Sequence, residues 1–392
     1  MAATGVVCEF NPFHLGHAAL VRRIRETSGE ETAIVCVMSG NYVQRGVPAL
    51  FDKFTRARAA VDCGVSLVLE LPLTCAVSSA EGFAGGAVTV LDRLGVVDTL
   101  CFGSESGNLR AIRNTAGALC GEEYDARLRE FLKQGGSFAA CRQAAARSLA
   151  GADADCLSDP NDNLGVEYCK ALLRRGSGIR PVAFHRPGRY HDTRPDPRNP
   201  SATAVRGLME RGADWTPYVP GPAAAVFAHA PRYCPAAGER AMLSVLRTLP
   251  DEAFRELPGS AEGLGNRLRR ACREEATVDG ILCAVKSKRY AHARLRRMLL
   301  CAYLGLTAAD LRREPPYVRV LAFDEQGRVL LRRVKRAGGI ALVNAGEGTG
   351  DYFALECRAA NLYTLFAEDG CPCGTEEKGR VYYRKTGKGE NS

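Results

Sequence analysis

The sequence predicts an α/β protein: a Rossmann-like parallel sheet covered by helices, followed by a basic, mainly helical C-terminal region with a small β element. Three observations predict it. Over the first hundred residues, short and continuously apolar runs alternate with segments of helical length, the pattern of βαβ units. Polar, glycine-bearing stretches follow these runs, where the carboxyl ends of parallel strands would lie and where such sheets bind ligands. Charge is uneven: residues 1–110 hold nine Lys/Arg against eleven Asp/Glu, leaving 44 against 33 for the remainder.

The elements follow in order. Gly5–Phe10 (GVVCEF) reads as a buried strand and His17–Glu26 as a helix. Thr32–Ser39 is a second strand, Asp52–Cys63 a second helix, and Val65–Leu71 a third strand. Ala80–Leu94 reads as a helix and Thr99–Gly103 as a fourth strand. Residues 108–176 are mostly helical, broken at Gly135-Gly136 and Gly151; Pro181–Arg186 returns as a strand. His191–Pro200 is a proline-rich loop, and Ser201 opens a helix. Residues 237–311 are helical and basic. Tyr317–Phe323 and Arg328–Leu331 read as strands, in the manner of a hairpin, and the polar tail Gly379–Ser392 as frayed. The division expected is residues 1–215 for the sheet-bearing domain and 216–392 for the basic, mainly helical region.

Composition bounds the class. A chain of 392 residues suits two or three domains. With 46% hydrophobic and 25% charged residues, low-complexity disorder is excluded for the bulk. No stretch reaches the ~18 apolar residues that cross a bilayer, and the N-terminus lacks a basic signal-like region. A cytoplasmic protein with no membrane partner is expected. The sixteen cysteines sit mostly in apolar runs, where a free thiol behaves as a small hydrophobe. Cys371-Pro-Cys373 is the one tight pair; a zinc site needs about four ligands and no second pair lies near, so no metal ligand is assigned.

Glu9-Phe10-Asn11-Pro12-Phe13-His14-Leu15-Gly16-His17 carries the clearest chemistry. It follows the first strand and opens the first helix, whose N-terminal N–H groups form an anion site. Two imidazole donors there can stabilise charge on a phosphate during in-line displacement. Ser201-Ala202-Thr203-Ala204-Val205-Arg206 offers two hydroxyls, a new helix N-terminus and an arginine one turn on; read blandly, Ser201 is an N-cap and Arg206 is solvated. Ser39–Gly46, Asp52 with Lys53, Glu70-Leu71-Pro72 and Phe102–Glu105 furnish the other strand ends, and together imply a cleft.

The two motifs resemble the nucleotidyl-transfer superfamily of class I aminoacyl-tRNA synthetases and cofactor adenylyltransferases. EFNPFHLGH, VMSGNYVQRG, SLVLELP, SAEGFAGGAV, FGSESG and SATAVR together resemble one bacterial family, the tRNA(Met) cytidine acetate ligases. The resemblance continues through Pro160–Tyr168, His185-Arg186-Pro187-Gly188, Tyr190-His191-Asp192, Lys286–Tyr290 and His292–Arg297. It implies a HIGH-type nucleotidyltransferase fold, with ATP held by Val7, Cys8, Glu9, Phe10, Asn11, Pro12, Phe13, His14, Leu15, Gly16, His17, Ala18, Ala19, Leu20, Gly103, Asn161 and Arg186. Asp162 and Asn163 stand where the family usually reads Asn and Ile. A carboxylate from Asp162 near ATP phosphates would repel them.

Residues 265–300 hold ten Lys/Arg and three Asp/Glu, and 286–297 hold six and none. Lys286, Lys288, Arg289, Arg294, Arg296 and Arg297 are the expected RNA contacts, with Arg289, Arg296 and Arg297 on one side of a helix. The resemblance implies two steps. Acetate attacks the α-phosphorus of ATP, with His14, His17, Ser201, Thr203 and Arg206 stabilising the phosphates and Mg²⁺ assisting. N4 of the wobble cytidine of elongator tRNA(Met) then attacks the acetyl-adenylate. The alternatives are a cofactor-type adenylyl- or cytidylyltransferase acting on a small phosphorylated precursor, and a non-catalytic tRNA-binding protein. No residue stands out as the base for the N4 proton, and oligomeric state is left open.

Overall fold

A computed structural model describes residues 2–186, 196 and 199–385. Its centre is a mixed sheet built from β1 (Ala3–Cys8), β2 (Ala33–Ser39), β5 (Leu67–Leu71), β6 (Thr99–Ser104), β7 (Arg180–His185), β8 (Val318–Phe323), β9 (Leu342–Asn344) and β10 (Tyr382–Tyr383); a separate two-stranded ribbon pairs β3 (Tyr42–Val43) with β4 (Val47–Pro48). Strand order is β10-β8-β5-β2-β1-β6-β7, with β9 beside β10 on the outer edge of β8. The five strands from β5 to β7 are parallel, as expected. β8 runs antiparallel to β5. The chain moves outward from β1 through β2 to β5, then crosses to β6 on the other flank, so the order reverses beside β1. Ligands bind parallel sheets at such a crevice.

Period-two alternation sorts the sheet's two faces. Val35, Val37, Leu67 and Leu69 meet helices Ala80–Arg93, Leu109–Cys120 and Pro160–Arg175 on one face. Ile34, Cys36, Met38 and Val68 meet helices Leu15–Ser28, Lys53–Asp62 and Ala202–Glu210 on the other. A third core gathers the helices between Glu239 and Leu304 with Gly350–Thr364, and takes in Tyr42, Leu73 and Val77 from the first part of the chain.

The C-terminal β segments therefore complete the main sheet rather than form an element of their own. Two expectations change. Arg328–Leu331 is not a strand but lies in helix Glu325–Ala337. Asp324 caps that helix, its Oδ1 accepting from the Gly327 amide at 2.9 Å, and Gly327, Leu330 and Val334 are buried at helical spacing. Part of the tail is also built in: Tyr382–Tyr383 pairs with Ala322–Phe323, and the Tyr382 hydroxyl donates to Asp62 Oδ1 at 2.8 Å. Residues 386–392 lie outside the described residues, as do most of the expected loop His191–Pro200 and the family residues Pro187, Gly188, Tyr190, His191 and Asp192.

Candidate active site

A cavity of about 880 Å³ opens at the carboxyl ends of β1 and β6. Its size suits a nucleotide. Three helices present N-terminal residues to it: Leu15–Ser28 through His14, Gly16 and His17; Pro160–Arg175 through Pro160 and Asn161; and Ala202–Glu210 through Ser201 and Thr203. The Glu105 carboxylate already takes the Asn161 and Asp162 amides of helix Pro160–Arg175, at 3.0–3.1 Å, so the ends at His14 and Ser201 are the ones that favour an anion.

The histidine motif owes its geometry to its own cap. His14 is the N-cap of its helix, and its Nδ1 accepts from the Gly16 amide at 3.1 Å. His17 Nδ1 reaches back to accept from the His14 amide at 3.2 Å. Each Nδ1 lone pair is thus committed, which places the proton on Nε2 and makes Nε2–H the donor of both rings. The rings stack at 3.7 Å, and the Phe10 ring meets His17 edge-on. Burial holds His14 well below the usual histidine range, aided by the neighbouring His17, Arg186 and Arg206. Burial, then the Arg186 charge, lowers His17 to about 3. Both imidazoles are neutral donors at pH 7. Gly16 keeps this corner open: a Cβ there would lie 2.7 Å from Asn199 Oδ1 and 3.0 Å from His14 Cε1, so both side chains would have to shift.

The second motif meets the first. Ser201 is the N-cap, its Oγ accepting from the Ala204 amide at 3.0 Å, as the bland reading had it. Arg206 is not simply solvated: Nη1 donates to the Asn11 carbonyl at 2.6 Å and Nη2 to Thr203 Oγ1 at 3.2 Å. Ser201, Thr203 and Arg206 share the cavity wall with His14 and His17.

Of the other residues assigned to ATP, Val7, Cys8, Glu9, Phe10, Asn11, Gly16, Ala19, Leu20, Gly103, Asn161 and Arg186 line the cavity; Pro12, Phe13, Leu15 and Ala18 stand off it, with Phe13 fully buried. A Cβ on Gly103 would meet only Arg186, at 3.8 Å, so the glycine leaves open room beside the strand end. Asn161 donates through its amide to Glu105 Oε1 at 2.6 Å. The concern over Asp162 resolves. Asp162 is fully buried away from the cavity wall, bonded to the Ser104 hydroxyl and accepting from the Ser106 amide at 3.1 Å. It anchors helix Pro160–Arg175 to the end of β6 and does not face phosphate.

Two of the expected strand ends do not reach the cleft. Asp52 caps its helix, accepting from the Phe54 amide at 2.8 Å. Lys53 Nζ donates to Glu70 Oε2 and Glu376 Oε2, both at 2.7 Å. Arg319 joins them, 3.0 Å from Glu376 and 3.3 Å from Glu70, and also pairs with Glu356. This buried network locks β5 and β8 together. Long-range partners also hid Arg56, which is fully buried and gives Nε to the Phe51 carbonyl at 2.9 Å, with its terminal nitrogens on the carbonyls of Glu9, Ser39 and Gly40. It ties the ends of β1 and β2. Gln44, Arg45, Leu164, Tyr168, Phe184 and His185 also line the cavity; the polarity of Ser39–Gly46 and the family segments Pro160–Tyr168 and His185-Arg186 were the signals for all of them but Phe184.

The basic run is more varied than its composition implied. Lys286–Tyr290 lies in the turn between helices Val278–Val285 and His292–Leu304, so Arg289 does not share a helix face with Arg296. Lys286 Nζ donates to the carbonyls of Ser287 and Tyr290, Arg289 pairs with Glu262 at 2.7 Å, and Arg294 bonds the Gly259 carbonyl at 3.0 Å. Lys288 and Arg296 are exposed. Arg297 is half-buried and bonded to the Gln44 carbonyl.

A model of the HIGH nucleotidyl transferase family matches residues 1–377, and the sheet, crevice and histidine cap define that class of protein. A tRNA(Met) cytidine acetate ligase of Clostridium acetobutylicum is 33% identical over 98% of this chain and 99% of its own length. One of Halothermothrix orenii is 35% identical over 88% and 87%. The crystal structure of Thermotoga maritima TmcAL superposes with a TM-score of 0.90 at 31% identity, covering 98% of this chain and 100% of the other; a second structure of that protein, bound with alpha-thio ATP, gives 0.88. The chain belongs to the tRNA(Met) cytidine acetate ligase family.

Proposed function

We propose that the chain activates acetate with ATP and transfers the acetyl group to N4 of the wobble cytidine of elongator tRNA(Met). The observation that carries the reading is the pair of neutral, Nε2-protonated histidines at a helix N-terminus, facing one cavity with Thr203 and Arg206. In the first step an acetate oxygen attacks the α-phosphorus, the bond from that phosphorus to the β-bridging oxygen breaks, and pyrophosphate leaves. His14, His17 and the helix N-termini at His14 and Ser201 stabilise the added charge without reorganising. In the second step N4 attacks the acetyl carbon, the bond to the adenylate oxygen breaks, N4 loses its proton, and AMP departs. The amine is a poor nucleophile, so positioning does much of the work, and the base must leave its anticodon stack.

Residues 1–215 supply the catalytic wall and residues 216–392 the basic surface, with Lys288, Arg289 and Arg296 the exposed cations of the run and Lys286 and Arg294 held beside them. Among the described residues no group of three or more His, Cys, Asp or Glu side chains could hold a metal. Magnesium keeps several waters and is held largely by substrate phosphates, so it would arrive with the triphosphate, and no step is assigned to it. Among the described residues no helix is long and apolar enough to cross a membrane.

The test is pyrophosphate release from ATP with acetate, propionate or no acid, with and without tRNA, alongside mass analysis of the digested tRNA. Acetate-dependent release with acetylated cytidine is expected. Release that ignores acetate and answers to a phosphorylated vitamin would replace this reading with a cofactor adenylyltransferase.

A further inference from the structure

Charge alone groups Arg297 with the RNA contacts, yet its side chain turns inward. Its Nη1 donates to the Gln44 carbonyl at 3.2 Å, and burial pulls its guanidinium below the ordinary arginine range. The amide of the same Gln44 donates to Glu9 Oε1 at 2.7 Å. Glu9 and the ribbon residues Val43, Gln44, Arg45 and Val47 all line the nucleotide cavity. The ribbon turn lies against the helix as closely as backbone allows. A Cβ on Gly46 would stand 2.5 Å from the Arg297 nitrogen and 2.7 Å from the Arg296 carbonyl carbon, at a φ of +77°. One short turn thus touches helix His292–Leu304 on one side and the cavity on the other.

We infer that Arg297 is a positioning residue of the ATP half-reaction rather than an RNA contact: it pins the Gln44 turn, and through it Glu9, against the cavity. The inference rests on the acetate activation proposed above. A guanidinium bonded to a main-chain carbonyl in a desolvated setting is a charge-assisted bond, and it holds the side chain against the turn. A carboxylate oriented by one backbone N–H moves when that backbone moves, and a ~1 Å displacement near the reacting atoms costs about 10²-fold in rate.

The experiment compares wild type, Arg297→Met and Arg297→Lys without tRNA, reading acetate-dependent exchange of labelled pyrophosphate into ATP and ATP affinity by calorimetry. Methionine keeps the stem that packs and removes the donor. Expected are an exchange rate lowered about 10-fold or more and weaker ATP binding for Arg297→Met, with partial recovery in Arg297→Lys. Gly46→Ala, which forces the turn off the helix, should reproduce the loss. Wild-type exchange and ATP affinity in Arg297→Met, with only tRNA affinity reduced, would overturn the inference. A wild-type protein that binds ATP but shows no acetate-dependent exchange would sink the functional reading instead, and the ATP affinities would then decide the role of Arg297 by themselves.

Discussion

His14 performs two tasks with one ring: Nδ1 caps a helix and Nε2–H faces the cavity. Asparagine can perform the first and not the second. His14→Asn should therefore keep the thermal midpoint within a few degrees of wild type and lower acetate-dependent pyrophosphate release by about 10²-fold or more; equal losses in both would mean the ring is structural. His17 supports a prediction about pH. Its folded value, about 3, lies below the ordinary 6.5. The unfolded chain then binds the proton first, so the contribution is full above about pH 6.5 and is lost as pH falls towards 3. His17→Gln keeps an acceptor for the His14 amide and should flatten that acid slope in chemical denaturation. The histidine motif was legible because its chemistry and its cap lie in consecutive residues. Arg56 and Asp162 were not, since their partners Glu9 and Ser104 are 47 and 58 residues away in sequence.

Elements show the same division. The parallel strands and their helices could be read, because a strand buried on both faces is a continuous apolar run. Arg328–Leu331 misled because its three apolar residues fit either period; the Asp324 cap was the arbiter. The order of strands, and the addition of β8 against β5, came from pairing over long separations that no local pattern encodes. Close approach between elements also gives a prediction. A Cβ on Gly165 would lie 2.6 Å from the Phe102 ring, so Gly165→Ala should destabilise by about 1–3 kcal/mol. Phe102 precedes Gly103, so the same variant should raise the KM for ATP; an unchanged KM would show that the strand end absorbs the shift.

At the scale of the molecule, three buried carboxylates, Glu70, Glu356 and Glu376, share two cations, Lys53 and Arg319. The excess negative charge is relieved by a proton: burial, then the charge of Glu70, pushes Glu356 up to about 7. For a carboxyl group raised this way, the contribution to stability is full below about 4.5 and is lost as pH rises through 7. Glu356→Gln still accepts from the Tyr317 hydroxyl, now at 2.7 Å, and should remove that neutral-pH slope in urea titrations. The basic surface yields a separate expectation. Arg296→Glu should weaken tRNA binding and reduce its salt dependence, read by filter binding over a salt series; an unaltered salt slope would place the RNA elsewhere.

The antiparallel seam between β5 and β8 has a consequence for how the protein is made. β5 leaves the ribosome early, whereas the strand that covers its edge, and the glutamate that completes the charge network around Lys53, come only near the end of translation. For most of its synthesis the nascent chain carries an unpaired apolar strand edge with a lysine and a glutamate at its rim. Such edges recruit other chains. Lys53 and Glu70, a complete pair before any later residue arrives, keep a charge at that rim until Arg319 and Glu376 reach it.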